Sequence, residues 1–192
     1  MMKILLRSLL LFALLAPART VAAKDPVENV IFFLDHRISI AVPEGFIYDS
    51  GRDSDGTITA QIADQKQSNR LQVQFQPDPS NQLGTERQQM DFLAATCRLY
   101  AEGSVERSFD FKPLAPRSGQ GTYCSFTDAS LVGHPPPKGE FRQVTTGVKV
   151  WPGWVIIFTL LSNEPASKEY QALLTLMKES FAEKAPPAPP KV

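Results

Sequence analysis

The chain has 192 residues, in which 20 basic side chains balance 20 acidic ones and hydrophobic residues make up 43%. That length suits one domain with a core of its own. With no net positive charge and no basic cluster, the chain is excluded as a binder of phosphate backbones, and no nucleic-acid partner is expected.

Residues 1–23 are expected to direct export. Lys3 and Arg7 precede the apolar stretch Ser8–Pro17, and Val21 and Ala23 then stand at −3 and −1 of a small-residue cleavage site before Lys24. This is the layout of a secretory signal peptide. The apolar run is shorter than the roughly 20 residues that a bilayer span requires, so the mature chain is expected to carry no transmembrane segment. No cysteine lies near the cleavage site to take a lipid, and no Arg-Arg pair precedes the apolar run, which favours export in the unfolded state. The expected location is periplasmic or secreted. The mature chain, Lys24 to Val192, has 169 residues and loses Lys3, Arg7 and Arg19, leaving 17 basic against 20 acidic residues.

Val30 to Leu34 reads as a strand or a short helix. Ile38 to Val42 alternates apolar and polar residues and stops at the turn Pro43-Glu-Gly45, and Thr57 to Ile62 alternates again. The clearest strand signal is Leu71-Gln-Val-Gln-Phe-Gln76: Leu71, Val73 and Phe75 share one face, and Gln72, Gln74 and Gln76 the other. A sheet with one polar face makes this pattern. A helix follows, opened by Thr85 with Gln88 three residues on, the spacing of a capping box. Met90, Leu93, Ala94, Cys97, Tyr100 and Ala101 recur at helical spacing, and Gly103 is the expected stop. Further strands are expected at Phe109–Phe111, Gly121–Leu131, Glu140–Val150 and Trp154–Leu161. The last is continuously apolar, as befits a central strand covered on both faces. Trp151-Pro-Gly-Trp154 closes the hairpin before it. A final helix is expected from Ser167 to Lys184, with Tyr170, Leu173, Leu174, Met177 and Phe181 as its stripe. Residues 185–192, rich in proline, read as a disordered polyproline-type tail. Residues 24–184 therefore form a single α+β domain, a mostly antiparallel sheet with helices packed on it.

This order of elements, with a strand closing on Val42-Pro-Glu-Gly-Phe46 and a last helix ending Lys178-Glu-Ser-Phe181, resembles the Mog1/PsbP-like α/β/α sandwich family. The bacterial DcrB-like envelope proteins are the nearest branch. The resemblance runs from Ile38 to Phe181 and implies an accessory or chaperone-like binding protein without a shared catalytic centre. It carries over no site residue. Many envelope relatives are lipoproteins, and this chain departs from them at the cleavage site.

Cys97 lies on the apolar face of the first helix and Cys124 alternates with Phe126 in a strand, so both point toward one helix–sheet interface. In an exported chain an even cysteine count favours a disulfide between them, with two separate buried thiols as the alternative. Neither reads as catalytic, since there is no CxxC and no histidine nearby. The two histidines, His36 beside Asp35 and His134 before three prolines, have no partners at metal-ligand spacing. Arg52-Asp53-Ser-Asp55-Gly56 lacks the acidic first and twelfth positions of a calcium loop and reads as a polar turn. Arg117-Ser-Gly-Gln-Gly121 is neither a nucleophile elbow nor a phosphate cradle. No catalytic residue, metal or cofactor is therefore expected.

Two surface features remain. Trp151 and Trp154 flank a two-residue turn and either pack as a cross-strand pair or project as an aromatic anchor, which makes them the candidate interaction surface. The glutamine face is either solvated or the polar floor of a groove. The expected function is that of an exported cell-envelope accessory protein acting by protein–protein contact. A small-molecule or lipid carrier is the alternative, and an enzyme of unrecognised type comes third.

Overall fold

The computed structural model describes residues 27–33, 36–52, 57–116, 119–151 and 153–184. The signal segment 1–23, Asp35, the turn 53–56, Arg117, Ser118 and the tail 185–192 lie outside the described residues. In chain order the elements are β1 (Val27–Phe33), β2 (His36–Val42), β3 (Phe46–Arg52), β4 (Ile58–Asp64), β5 (Asn69–Asp78), α1 (Glu86–Ala101), β6 (Lys112–Pro113), β7 (Gln120–Thr127), β8 (Gln143–Trp151), β9 (Gly153–Ser162), α2 (Lys168–Glu179) and β10 (Phe181–Lys184). Seven strands form one antiparallel sheet in the order β3-β4-β5-β9-β8-β7-β6, and β1-β2-β10 form a second, smaller one.

The alternation of side chains along the strands divides the molecule into two apolar clusters, one on each face of the large sheet. On one face Ile62, Leu71, Val73, Phe75, Ile156, Phe158 and Leu160 meet Leu173 and Met177 of α2 and Ile38 and Ile40 of β2. On the other, Cys124, Phe126, Val148, Val150 and Val155 meet Leu93, Cys97 and Ala101 of α1. β9 contributes to both clusters and stands fourth of seven, which explains its unbroken apolar sequence. Gly147 of β8 lies under the Phe158 ring, and any β-carbon there would collide with the ring and with Tyr123. The strand uses glycine at that point because a neighbouring side chain occupies the space.

Several elements differ from the pattern reading or settle an alternative it left open. The first hydrophobic run is a strand, β1, paired along its length with β2. Phe109–Phe111 is not a strand; the pairing begins at Lys112. The Gly121–Leu131 segment stops as a strand at Thr127, where the Asp128 side chain caps a short 3-10 turn over Ala129–Leu131. The next strand begins at Gln143 rather than Glu140. α1 ends before Gly103, which is not left-handed; instead the Ser104 hydroxyl donates to the Ala101 carbonyl at 3.1 Å. α2 ends at Glu179, five residues early, and Phe181–Lys184 pairs with β2 as β10.

The premature end of α2 has a clear physical cause. Lys149 of β8, with no exposed surface, sends its ammonium under the last turn of the helix. Nζ donates to the carbonyls of Met177 (2.8 Å), Lys178 (3.3 Å) and Ser180, and to the Ser180 hydroxyl (3.2 Å). A helix C-terminus leaves its last carbonyls without intrahelical partners and carries partial negative charge, so a cation there satisfies both needs. Ser180 then adopts extended backbone and the chain leaves as a strand.

Candidate functional site: the open polar face of the sheet

α1 lies chiefly across β7 and β8. The rest of that sheet face, on β3, β4, β5 and β9, is left open, and a hollow of about 450 Å³ lies over it. Strand register arranges its floor in rows. Asp49, Gln61, Gln72 and Thr159 stand side by side across four strands, and Gly51, Thr59, Gln74 and Ile157 form the adjacent row. Of the glutamines singled out in the sequence, Gln72 and Gln74 are both exposed and part of the hollow's floor, while Gln76 is half-buried outside it; the side-chain period of two puts all three on the same side of the sheet. Amides and hydroxyls both donate and accept hydrogen bonds. Asp49 supplies the one carboxylate among the hollow's lining residues. Such a floor offers hydrogen-bonding groups and shape more than charge.

The other sequence candidates are placed elsewhere. Trp151 and Trp154 are direct cross-strand partners, and each is only 4% exposed. They are packed into the α2-side core, so the packed pair describes them and the exposed anchor does not. Gly153 between them has φ +81°, as the turn requires. The Lys149 ammonium sits 5.0 Å from the Trp151 ring centre, adding a cation–π contact to its carbonyl partners.

Cys97 and Cys124 do meet in the α1–β7 interface, fully buried, but as free thiols; the expected bridge is not formed in this structure. A hydrogen bond from Cys124 to Cys97 draws the Cys97 thiol below its ordinary range, with burial opposing. The same bond, reinforced by burial, pushes the Cys124 thiol up. Buried in this way, neither is accessible to an external substrate.

The backbone carbonyl of His134 accepts from Arg142 Nη2 at 3.1 Å, and His36 belongs to β2, so the two histidines sit on separate elements. Among the described residues no group of three His, Cys, Asp or Glu is placed to hold a metal ion. Gly119 (φ +77°) is pressed against the Val150 carbonyl at the start of β7, a packing role. Among the described residues no helix is long and apolar enough to cross a membrane. Lys149 is the residue that pattern reading missed. Its signal is a single cation inside Val148-Lys-Val-Trp151, at the parity that places it on the Trp151 face.

No family model matches the sequence, and no curated protein matches it in sequence. Among solved structures the fold is similar to the solution structure of cyanobacterial PsbP (CyanoP) from Synechocystis sp. PCC 6803. The TM-score is 0.51 at 13% identity, covering 88% of this chain and 99% of that one. The fold class is accordingly the PsbP-like α+β arrangement, a mostly antiparallel sheet with two helices packed on it.

Proposed function

We propose that this chain is an exported accessory protein of the cell envelope, of the DcrB-like kind, that acts by binding another protein and not by catalysis. The observation that carries this reading is the open part of the large sheet, where Gln61, Gln72, Gln74 and Thr159 present a broad hydrogen-bonding floor whose lining holds one carboxylate, Asp49, and no histidine or cysteine. The PsbP-like fold supports the same reading, as does the signal-peptide layout of residues 1–23, with Val21 and Ala23 at the −3 and −1 positions of a cleavage site. In an oxidising compartment the facing pair Cys97 and Cys124 would close to a disulfide between α1 and β7.

A carrier with its pocket between sheet and helix is less well supported. Leu173 and Met177 of α2 fill that interface against Phe158 and Leu160, and the hollow lies on the sheet's other face. The test is a photo-crosslinking residue at Gln72, with the same residue at the exposed Lys168 as control, in the native host. A discrete protein adduct seen from position 72 and absent from 168 is the expected result. Equal or no adducts from the two positions would overturn the reading.

A further inference from the structure

The outward face of α1 carries a second pattern that packing against the sheet does not use. With Gln89, Leu93, Cys97 and Ala101 buried, the opposite side of a helix with 3.6 residues per turn is centred on Ala95. Along it Gln88, Phe92, Ala95, Leu99 and Glu102 follow one another at spacings of four, three, four and three. That is the spacing of a helix–helix seam. Leu99 is 80% exposed and Phe92 36%, both large apolar side chains facing solvent.

We propose that this face docks a second copy of the chain, the two α1 helices running antiparallel about a two-fold axis at Ala95. The occupant is identified by self-complementarity. A two-fold operation that places Ala95 on its own copy brings Phe92 against Leu99 of the other copy, and Leu99 against Phe92, on one flank. On the other flank it brings Asp91 against Arg98 of the other copy, and Arg98 against Asp91, so opposite charges meet twice. Isologous interfaces require each patch to match itself in this way. The small Ala95 side chain at the crossing permits close approach of the helices. Asp91 is available for the exchange. Its partner within the helix, Arg87 at 4.0 Å, is an exposed contact with side chains 90% and 77% accessible, and such contacts contribute little.

One 16-residue helix spans about 24 Å and does not bury the 1,200–2,000 Å² typical of stable interfaces. The dimer is therefore weak, with a Kd of roughly 10–500 µM. This surface lies outside the sheet hollow and the inference does not depend on how that hollow is used.

Sedimentation equilibrium of the mature protein up to about 1 mM reads the result directly. Wild type is expected to show a reversible monomer–dimer equilibrium. Asp91→Arg sets like charges opposite each other and weakens dimerisation at least about tenfold. Leu99→Glu does the same, and the double variant Asp91→Arg/Arg98→Asp restores association to about wild-type strength. All these positions are exposed, so melting temperatures should stay close to wild type and exclude misfolding as the cause. A protein monomeric throughout the range, a dimer indifferent to Asp91→Arg, or a double variant that fails to recover would each overturn the proposal.

Discussion

The two helices sit on opposite faces of one sheet and are held by different means. α2 is tied down at both ends by buried polar groups. At its start the Ser167 hydroxyl accepts from the Tyr170 amide (3.1 Å) and from Asn69 Nδ2 (3.4 Å), and Asn69 in turn bonds Asp64 and Ser162. At its end stands Lys149. α1 is capped by Thr85 and Gln88 on the surface, closed by Ser104, and joined to a smaller apolar cluster. α2 completes the core, whereas α1 covers half of a sheet face and leaves its own outer side to solvent. The difference is that one fold closes one face of its sheet with a helix tied at both ends and leaves part of the other face uncovered.

The comparison breaks most visibly in the cores. Leu173→Ala, within the larger cluster, should cost about 3–5 kcal/mol, and Leu93→Ala about 2–3 kcal/mol, by urea unfolding. Equal losses would mean that the two layers share the load. Closing Cys97 to Cys124 should raise stability by roughly 3–4 kcal/mol on the chain-entropy model. A mass two hydrogens below the reduced value and a higher Tm without reductant would show it. Identical melting in both conditions would exclude a contributing bridge.

Lys149→Met keeps most of the length of the side chain but abandons three carbonyls, and should cost about 2–3 kcal/mol at pH 7. Its pH signature is distinctive. Burial lowers the Lys149 ammonium to about 8, with Glu179 opposing, while the unfolded side chain titrates near 10.4. Between those values the unfolded chain holds more protons, so this group makes stability rise with pH above 8, by at most about 1.4 kcal/mol per unit. Below about pH 7 the lysine is protonated in both states and contributes no slope. The difference between wild type and Lys149→Met across pH 8–9 should therefore show that rise. The smallest effect falls on the caps: Thr85→Ala should cost about 1 kcal/mol, and Ser167→Ala somewhat more, because Ser167 also holds Asn69.

Strand and helix signals were legible where one face is buried and the other is not. Leu71–Gln76, Ile38–Val42 and the Thr85–Gln88 box announce themselves, and β9 announces its central place. β3 did not, because at the sheet edge only Phe46 and Tyr48 turn toward the core while Ile47 and the residues from Asp49 to Arg52 are exposed. β10 was hidden by coincidence of spacing: Phe181 falls four residues after Met177 and extends a helical stripe. The deciding interactions, Lys149 under the helix end and the free edge of β2, lie far away in sequence. The glutamine floor was visible as a polar face, yet how much of that face stays uncovered depends on where α1 comes to rest, which no local pattern encodes. Lys149 was visible as a lone cation, and only the fold shows that it points inward.

The pairing of β10 with β2 bears on how the chain reaches its native state. Phe181 lies opposite Ser39, so two segments about 140 residues apart must meet before β2 gains its second neighbour. Such distant closure is slow, because the entropy of the intervening loop is lost before any contact repays it. Until it happens β2 presents a bare edge, the kind of surface on which other strands add and aggregates begin. Folding of a chain that emerges from its N-terminus would therefore finish only after residue 181 is free. A chain shortened at Ser180 would keep both helices yet remain open to mispairing along β2.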